Sequence, residues 1–499
     1  MDIKKAFSYH GNETPALLKK PELFFVFFAF FAGLLMLFIT PPFQTPDEYN
    51  HFYRTYQISE GGWIAEKKEG KVGGFLPQAL LVTAQTVSKN IPFHVENHQK
   101  VEDIFAVASL PLNKHIRVFI EFYNTARYSP LPYLPQALGV ALGGLFHPSP
   151  IKLFYLGRMF NLFFWLALCY LSIKTVPVFK WVFTLLALTP ISLFIGASLS
   201  PDAFTNGISF LFISTVIRFA YGDDVKSGSA YIAVIFIISV ILSLSKQGYF
   251  FLFFLFFLIP VNKIALRGNT VLKYSITFLC LIALAVISSA AWHFLIRDFA
   301  MATITSDGGY DVSLAKAKIF FVLHSPLQYL KMLGLTYSSC FNGYMIQLIG
   351  KLGWTDTYLP KLLIYSYYLT LILTALTEQT HNNIKINAAH KTLMGMISIL
   401  TIVLITTLMF ITWTPPEEKI IYDIQGRYFI PLTPLIFFMF YDSFLSKKHL
   451  RYKNTVFNRH IRLINYFRNN TYTARAILFV YCVYSTTATL ITLVNRYYG

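Results

Sequence analysis

Charged side chains that could take part in chemistry occur at four points of the chain, each beside an apolar segment. In chain order they are Asp47 with Glu48, His51 and Arg54; Asp202; Lys246; and Arg427 with Tyr428. Carboxylates can act as general acids or bases, whereas guanidinium and ammonium groups bind phosphate. Together these groups would suit a reaction between a hydroxyl group and an anionic leaving group carried by a lipid.

The first of these points lies in the sequence TPDEYNHFYR, shortly after an apolar run. Thr45 followed three residues later by Glu48 predicts a capping box, so Glu48 has a structural alternative as a helix cap. The structural alternative for Asp47 is that its carboxylate complements the helix dipole. Asp47, His51 and Arg54 also stand at i, i+4 and i+7, which places them on one helical stripe. Asp47 and Glu48 are therefore catalytic candidates, and the other two side chains would orient the acid or bind phosphate.

Two of the later points also have structural alternatives. The segment Ser-Pro-Asp that ends at Asp202 is typical of a capped helix start, so this carboxylate is either part of a cap or a second catalytic acid. Lys246 lies in a tight connection between two apolar runs, where it either snorkels to the surface or binds substrate. Arg427 has the fork of donors that suits phosphate, and Tyr428 beside it is a further candidate for substrate binding.

The composition is that of a membrane protein. Hydrophobic residues make up 55% and charged residues 13% of the 499 residues, against about 25% charged residues in soluble proteins. Apolar runs recur at lengths near the roughly twenty residues that a helix needs to cross a bilayer. The sequence predicts an all-α, polytopic transmembrane bundle with about eleven spans, at residues 23–40, 153–173, 178–197, 203–220, 230–245, 248–261, 274–294, 361–377, 393–412, 428–445 and 474–494.

Basic residues set the predicted orientation of this bundle. Lysines precede the first span, and the connections that then fall in the cytoplasm are basic; the last of them, 446–473, holds seven lysines and arginines. By the positive-inside rule the N-terminus lies inside and the C-terminus outside. The same rule accounts for the net charge of +18, so we expect no nucleic-acid partner.

The single membrane domain, 1–499, is predicted to have two extracytoplasmic parts. The first loop, 41–152, is too long for a plain connector and should form a folded lobe. Within it, 130–147 is apolar enough to span the membrane, but a span there would turn the later basic connections outwards. An interfacial helix at 130–147 keeps the charge pattern intact. The second part, 295–360, contains a further candidate interfacial helix at 326–350.

Six stretches of the chain carry a family resemblance through their joint order. They are PPFQTPDEYNHFYRTYQISEGG (41–62), YSPLPYLPQALG (128–139), GRMFNL (157–162), TPISLFIGASLSPDAFTNG (189–207), SKQGYF (245–250) and QGRYFIPLTPL (425–435). These six stretches, in this order, resemble a bacterial family of predicted multi-spanning membrane proteins of unknown function. That family is related to the GT-C membrane glycosyltransferases. In GT-C enzymes an acidic residue of the first outer loop is the catalytic base, and the usual donor is a polyprenyl-phosphate sugar. The resemblance therefore implies Asp47 as the base, Asp202 as a second acid near it, and a place in the bacterial plasma membrane.

We accordingly expect a membrane glycosyltransferase that moves a sugar from a polyprenyl-phosphate donor to an extracytoplasmic glycan or lipid acceptor. Its partners would be the lipid-linked sugar, a cell-surface glycan and membrane lipid. Two alternatives stay open: a transporter or flippase of lipid-linked glycans, and a glycan polymerase or ligase. Few ionisable residues lie at the centres of the later spans, which favours an enzyme over a transporter. A divalent metal ion on Asp47 and Asp202 is compatible with carboxylate chemistry, although nothing in the sequence requires one.

Overall fold

The structure of the protein is a computed structural model. It describes residues 15–146, 148–222, 228–264, 270–299, 302–305, 310–378, 384–415, 417–441, 464 and 466–499. Most of the basic connection 446–473, and with it most of the charge that sets the predicted orientation of the last span, lies outside these residues. Residues 306–309 and parts of the other connections also lie outside the described residues.

Seven helices among the described residues are long and apolar enough to cross a membrane. We number them α1 to α7; other helices are named by their ranges. They are α1 Pro21–Ile39, α2 Pro150–Thr175, α3 Pro201–Tyr221, α4 Gly228–Ser245, α5 Thr270–Leu295, α6 Ala388–Trp413 and α7 Thr471–Tyr497. The protein is therefore a mostly helical membrane protein, and the count of about eleven crossings remains a prediction.

Small residues let the first three long helices approach closely. A Cβ atom added at Gly33 of α1 would lie 2.7 Å from a methyl carbon of Leu162 in α2. One added at Gly207 of α3 would lie 2.8 Å from the Cβ of Leu168, also in α2. Small residues at helix crossings are the usual means by which membrane helices pack, because lipid offers no hydrophobic driving force between them. Helix α2 is therefore held between α1 and α3.

Three of the predicted spans take a different form in the structure. Residues 178–197 form two short helices, Lys180–Ala187 and Pro190–Gly196, because Pro190 has no N–H for the preceding turn. The segment 428–445 begins as a 3₁₀ helix, Gly426–Leu432, and continues as the helix Thr433–Met439. The third is 248–261, which is a 3₁₀ helix over Gln247–Leu258. The predicted span 361–377, by contrast, is one α-helix with the same bounds, Lys361–Thr377. The segments predicted as spans at 178–197 and 428–441 are therefore interrupted helices, and whether they cross the membrane remains a prediction.

The remaining elements connect these helices or build the parts outside them. The helices are Ala16–Lys19, Glu48–Ser59, Gln78–Ser88, Val101–Ala108, Tyr123–Ala126, Leu134–Gly143, Val261–Ile264, Val312–His324 and Pro326–Gly350, with 3₁₀ turns at Leu131–Tyr133 and Gly144–Phe146. Short strands pair at Thr303–Ile304 with Tyr310–Asp311 and at Lys351–Leu352 with Thr357–Tyr358. The candidate interfacial segment 326–350 is thus one continuous helix.

The segment 41–152 contains a three-stranded antiparallel sheet, which the all-α prediction did not include. Its strands are β1 Glu66–Lys68, β2 Lys71–Pro77 and β3 Arg117–Glu121, in the order β1-β2-β3. The inner face of the sheet and the helices around it share a buried apolar core with Phe52, Val72, Leu80 and Ile120. This core lets the sheet and the neighbouring helices pack as a lobe on the end of the bundle.

Hydrogen bonds fasten this lobe to the long helices. The hydroxyl of Ser129 donates to the carbonyl oxygen of Leu244 in α4 at 2.7 Å, and the indole of Trp292 in α5 donates to the carbonyl oxygen of Arg127 at 2.9 Å. The segment 130–147 forms a short helix between two 3₁₀ turns, and its Gly139 lies against the backbone of α2. Its interfacial placement remains a prediction.

The last helix runs parallel to the first. The guanidinium of Arg475, near the start of α7, donates to the carbonyl oxygen of Leu18 at 3.0 Å. Arg496, near its end, donates to the carbonyl oxygen of Asn97 in the lobe and to the carboxylate of Asp356, both at 3.0 Å. Helix α7 therefore starts at the end of the bundle where α1 starts, and its orientation in the membrane remains a prediction.

Candidate functional site

Three of the predicted residues meet where separate elements end beside the lobe. Asp202 lies at the start of α3, Lys246 directly follows α4, and Arg427 lies in the 3₁₀ helix Gly426–Leu432. The ammonium nitrogen of Lys246 is 2.9 Å from Asp202 Oδ1, and Arg427 Nε is 3.6 Å from Asp202 Oδ2. One carboxylate thus faces two cations, all three of them largely buried.

Tyr428 supports both cations through its ring. The ammonium group of Lys246 lies 4.3 Å from the ring centroid, and the guanidinium carbon of Arg427 lies 5.6 Å from it. The Tyr249 hydroxyl donates to the Tyr428 carbonyl oxygen at 3.0 Å, which fixes the backbone at this point. A cation near an aromatic face is attracted by the negative face of the ring. The Tyr428 ring therefore adds to the stabilisation that the Asp202 carboxylate gives the two neighbouring cations.

The backbone at Gly426 sets the position of Arg427. A Cβ atom there would lie 2.2 Å from the carbonyl oxygen of Tyr344, so a larger residue would push this segment away. The N–H of Gly426 also donates to Oε1 of Gln347 at 2.6 Å. Within the described part of the chain, Nε of Arg427 is buried and has no hydrogen-bond acceptor. A buried donor of this kind is costly unless a ligand supplies an acceptor.

Asp47 lies close to these residues in an unusual backbone conformation. Its φ is 59°, in the left-handed region that aspartate tolerates better than most residues. Burial raises the pKa of its carboxyl to about 6; Arg427 opposes this shift, Asp423 and Asp202 add to it, and a hydrogen bond from Asn124 opposes it again. A carboxylate with a pKa near 6 is a stronger base than an exposed aspartate and is still mostly ionised at neutral pH.

We call Asp47, Asp202, Lys246, Arg427 and Tyr428 the polar cluster. His51 lies beside it, buried, with its Nδ1 atom 2.9 Å from the hydroxyl of Tyr133. Burial lowers the pKa of His51 to about 3, an effect that nearby Asp202 opposes. The imidazole is therefore neutral near pH 7 and cannot supply a positive charge to a phosphate.

Glu48 has a different environment from Asp47. Its carboxylate forms a fork with Arg158 of α2, with Nε to Oε1 at 2.8 Å and Nη2 to Oε2 at 2.6 Å. The N–H of Leu199 donates to the same Oε1 at 3.0 Å. Both charged side chains are fully buried, and Arg158 also donates to the carbonyl oxygens of Leu37 and Thr40 at the end of α1. These contacts tie α1, α2 and the start of α3 together and favour a structural role for Glu48.

The capping box predicted between Thr45 and Glu48 is not formed as expected. The helix begins at Glu48, with Asp47 at the N-cap position and no side-chain cap. The Thr45 N–H reaches Glu48 Oε2 only at 3.5 Å, because Arg158 holds that carboxylate. The cap predicted at the start of α3 is confirmed, since the hydroxyl of Ser200 accepts from the N–H of Asp202 at 3.2 Å.

Arg54 is also engaged away from the polar cluster. Its side chain is fully buried and donates to Gln57 Oε1 and to the carbonyl oxygens of Gly62 at 3.3 Å and Trp63 at 2.8 Å. These acceptors lie at and after the end of the helix Glu48–Ser59. The contacts close the C-terminal end of that helix and favour a structural role. The stripe predicted for Asp47, His51 and Arg54 is therefore not one reactive surface.

Sequence reasoning missed four residues that shape the site: Arg158, Asn124, Tyr133 and Tyr249. An arginine inside an apolar helix is itself a signal of a buried partner or a site, so Arg158 could have been found. The other three are uncharged, and nothing in their spacing distinguishes them from core side chains.

The donor set does not fit a divalent ion between Asp47 and Asp202. Each oxygen of Asp202 already faces a cation of the protein. Among the described residues, no group of three histidine, cysteine, aspartate or glutamate side chains is arranged to hold a metal. Hard cations such as Mg²⁺ and Ca²⁺ need several oxygen ligands. We therefore assign no chemical step to a metal.

Comparison with known proteins places the chain in a family. The family described as "Predicted membrane protein (DUF2142)" matches residues 30–436, which include all five residues of the polar cluster. No curated protein and no solved structure matches the chain. Because the match covers most of the sequence, the chain belongs to this family of predicted membrane proteins.

Proposed function

We propose that the protein is a bacterial plasma-membrane glycosyltransferase of the GT-C type. It would move a sugar from a polyprenyl-phosphate donor to an acceptor on the extracytoplasmic side. The observation that carries the proposal is that Asp202 holds the cations Lys246 and Arg427 beside each other, while Asp47, a carboxyl with a raised pKa, interacts with Arg427 and Asp202. A base next to a pair of preorganised cations suits a transfer in which a phosphate departs.

In the proposed reaction Asp47 takes the proton from an acceptor hydroxyl as the oxygen attacks the anomeric carbon of the donor. A new C–O bond forms on one side of that carbon, and its bond to the phosphate oxygen breaks on the other. The electron pair of the broken bond goes to the phosphate, so the configuration inverts. Lys246 and Arg427 stabilise the charge that develops there, and Nε of Arg427 supplies a donor. Asp202 positions the two cations.

The shape and lining of an apolar groove support the proposal that the donor is linked to a lipid. The groove has a volume of about 440 Å³ and lies between α4, the 3₁₀ helix Gln247–Leu258, α5 and α6. Its lining includes Phe250, Phe251, Phe253 and Leu408. Lys246 also lines it, so the groove leads to the polar cluster. A ligand with an apolar chain and a phosphate would place the chain against the phenylalanines and the phosphate beside the lysine.

Reconstituted transfer tests the proposal. The purified full chain is placed in liposomes with a radiolabelled polyprenyl-phosphate sugar, and release of polyprenyl phosphate is followed. We expect Lys246→Gln to lower turnover by about 10²-fold, since it removes a charge that stabilises the leaving group. Lys246→Arg keeps the charge and should retain most of the activity. Lys114→Gln changes an exposed lysine of the lobe and serves as the matched control; equal activity of Lys246→Gln and this control would refute the role of the cation.

The pH dependence of transfer provides a second prediction. Asp47 acts as a base only when ionised, and its pKa is about 6. Activity should therefore rise with pH through about 6 and fall about tenfold between pH 7 and pH 5. The measurement is the initial rate of the same liposome assay across this range. A rate that stays level down to pH 4.5 would mean that the base is a carboxyl of ordinary pKa.

A further inference from the structure

A second cleft lies in the lobe, apart from the apolar groove. It has a volume of about 650 Å³ and is enclosed by the helices Glu48–Ser59 and Gln78–Ser88 together with β2 and β3. All of its lining residues fall between 49 and 121. None of them lines the apolar groove. We call it the lobe cleft.

The lining of the lobe cleft includes aromatic rings and amide groups, together with the charged side chains of Lys71, Lys89 and Glu121. The rings are those of Tyr49 and Phe119, both only partly buried, and amides are supplied by Asn50, Gln85 and Asn90. Aromatic rings offer flat apolar faces, and amides offer both donors and acceptors. This combination matches a pyranose ring, which presents C–H groups on its faces and hydroxyl groups on its edge.

One lining residue of the lobe cleft, Asn50, is connected to Asp47 through hydrogen bonds. The amide of Asn50 donates to Oδ1 of Asn124 at 2.9 Å. The side chain of Asn124 in turn hydrogen-bonds the carboxyl of Asp47. A hydroxyl group of a ligand that filled the cleft to this point would lie close to the proposed base. The apolar groove reaches the polar cluster at a different residue, Lys246.

We infer that the lobe cleft is a carbohydrate-binding site and holds the acceptor of the transfer. Its role as an acceptor site rests on the proposed function, but carbohydrate binding by the cleft does not. Because it is enclosed by lobe elements alone, its occupant arrives from the aqueous side. The acceptor is then a glycan, and a lipid acceptor is disfavoured.

Blocking the cleft tests this inference directly. Gln85 is exposed on the helix Gln78–Ser88 and lines the cleft, so Gln85→Trp adds bulk to it without disturbing the core. Gln78→Trp makes the same change at an exposed position of the same helix that does not line the cleft. The detergent-solubilised full chain is applied to a microarray of bacterial surface oligosaccharides. We expect Gln85→Trp to weaken binding by about tenfold or more, and Gln78→Trp to leave it unchanged.

Measuring oligosaccharide binding and sugar transfer in the same preparation of the wild type separates the failure of this inference from failure of the proposed function. Oligosaccharide binding that Gln85→Trp abolishes, in a chain without transfer activity, would support the site and refute the function. Absence of binding by the wild type, or equal binding by Gln85→Trp and Gln78→Trp, would overturn the inference even if transfer to another acceptor is found.

Discussion

Asp47→Asn is expected to lower sugar transfer by about 10²–10⁴-fold while the protein is still inserted and folded. Asparagine has nearly the size of aspartate and tolerates the left-handed backbone found at this position. It removes only the negative charge and the basicity. The measurement is single-turnover transfer in liposomes, with the amount of folded protein determined by size-exclusion chromatography in detergent.

The control for this substitution has to be an acidic residue away from the polar cluster. Asp298→Asn is suitable, because Asp298 is exposed just after α5. Glu48→Gln would be a poor control, since Glu48 is paired with Arg158 in the core. Near-normal transfer by Asp47→Asn would remove Asp47 from the mechanism and leave Asp202 as the remaining acidic candidate of the polar cluster.

The second large effect is expected on stability at the pair Glu48–Arg158. Breaking it from either side leaves one charge buried without its partner, which costs about 3–5 kcal/mol. We therefore expect Glu48→Gln and Arg158→Met each to lower the free energy of unfolding by about that amount. The loss can be measured by equilibrium unfolding in mixed micelles. Combining the two substitutions should cost less than the sum of the single effects, because neither charge is then left alone.

A surface pair gives the comparison for this experiment. Arg117 and Glu60 lie 2.7 Å apart in the lobe but are partly exposed. Water screens such pairs, so Arg117→Met or Glu60→Gln should cost less than about 1 kcal/mol. If Glu48→Gln were no more costly than Glu60→Gln, Glu48 would not hold the helices together, and a role in the reaction would regain support.

The sequence predicted the long apolar helices better than the interrupted ones. Apolar length alone places α1, α5 and α6, because an uncharged run of this length has few alternatives in a membrane. It cannot reveal where the backbone leaves the α-helical path. Pro190, Pro431 and Pro434 were visible signals of such breaks within apolar segments, and they outweigh hydropathy because proline removes a hydrogen-bond donor.

Only part of the candidate site could be predicted from the sequence. The charged residues Asp202, Lys246 and Arg427 stand out because an ionisable group beside a membrane helix needs a partner, and the structure pairs them with one another. The roles of Glu48 and Arg54 depended on a helix counted from Thr45. The N-cap of that helix is Asp47, two residues later than predicted, so Asp47 precedes the helix that carries His51 and Arg54. A predicted cap, or a stripe that includes the first residue of a helix, depends on where the helix begins.

Mass spectrometry of surface glycans tests the central claim most directly. Cells that lack the protein are compared with cells that express the wild type and with cells that express Asp47→Asn at the same level. The proposed glycosyltransferase predicts that one sugar is missing from a surface glycan in the first and third strains and present in the second. Identical glycans in all three strains would contradict it.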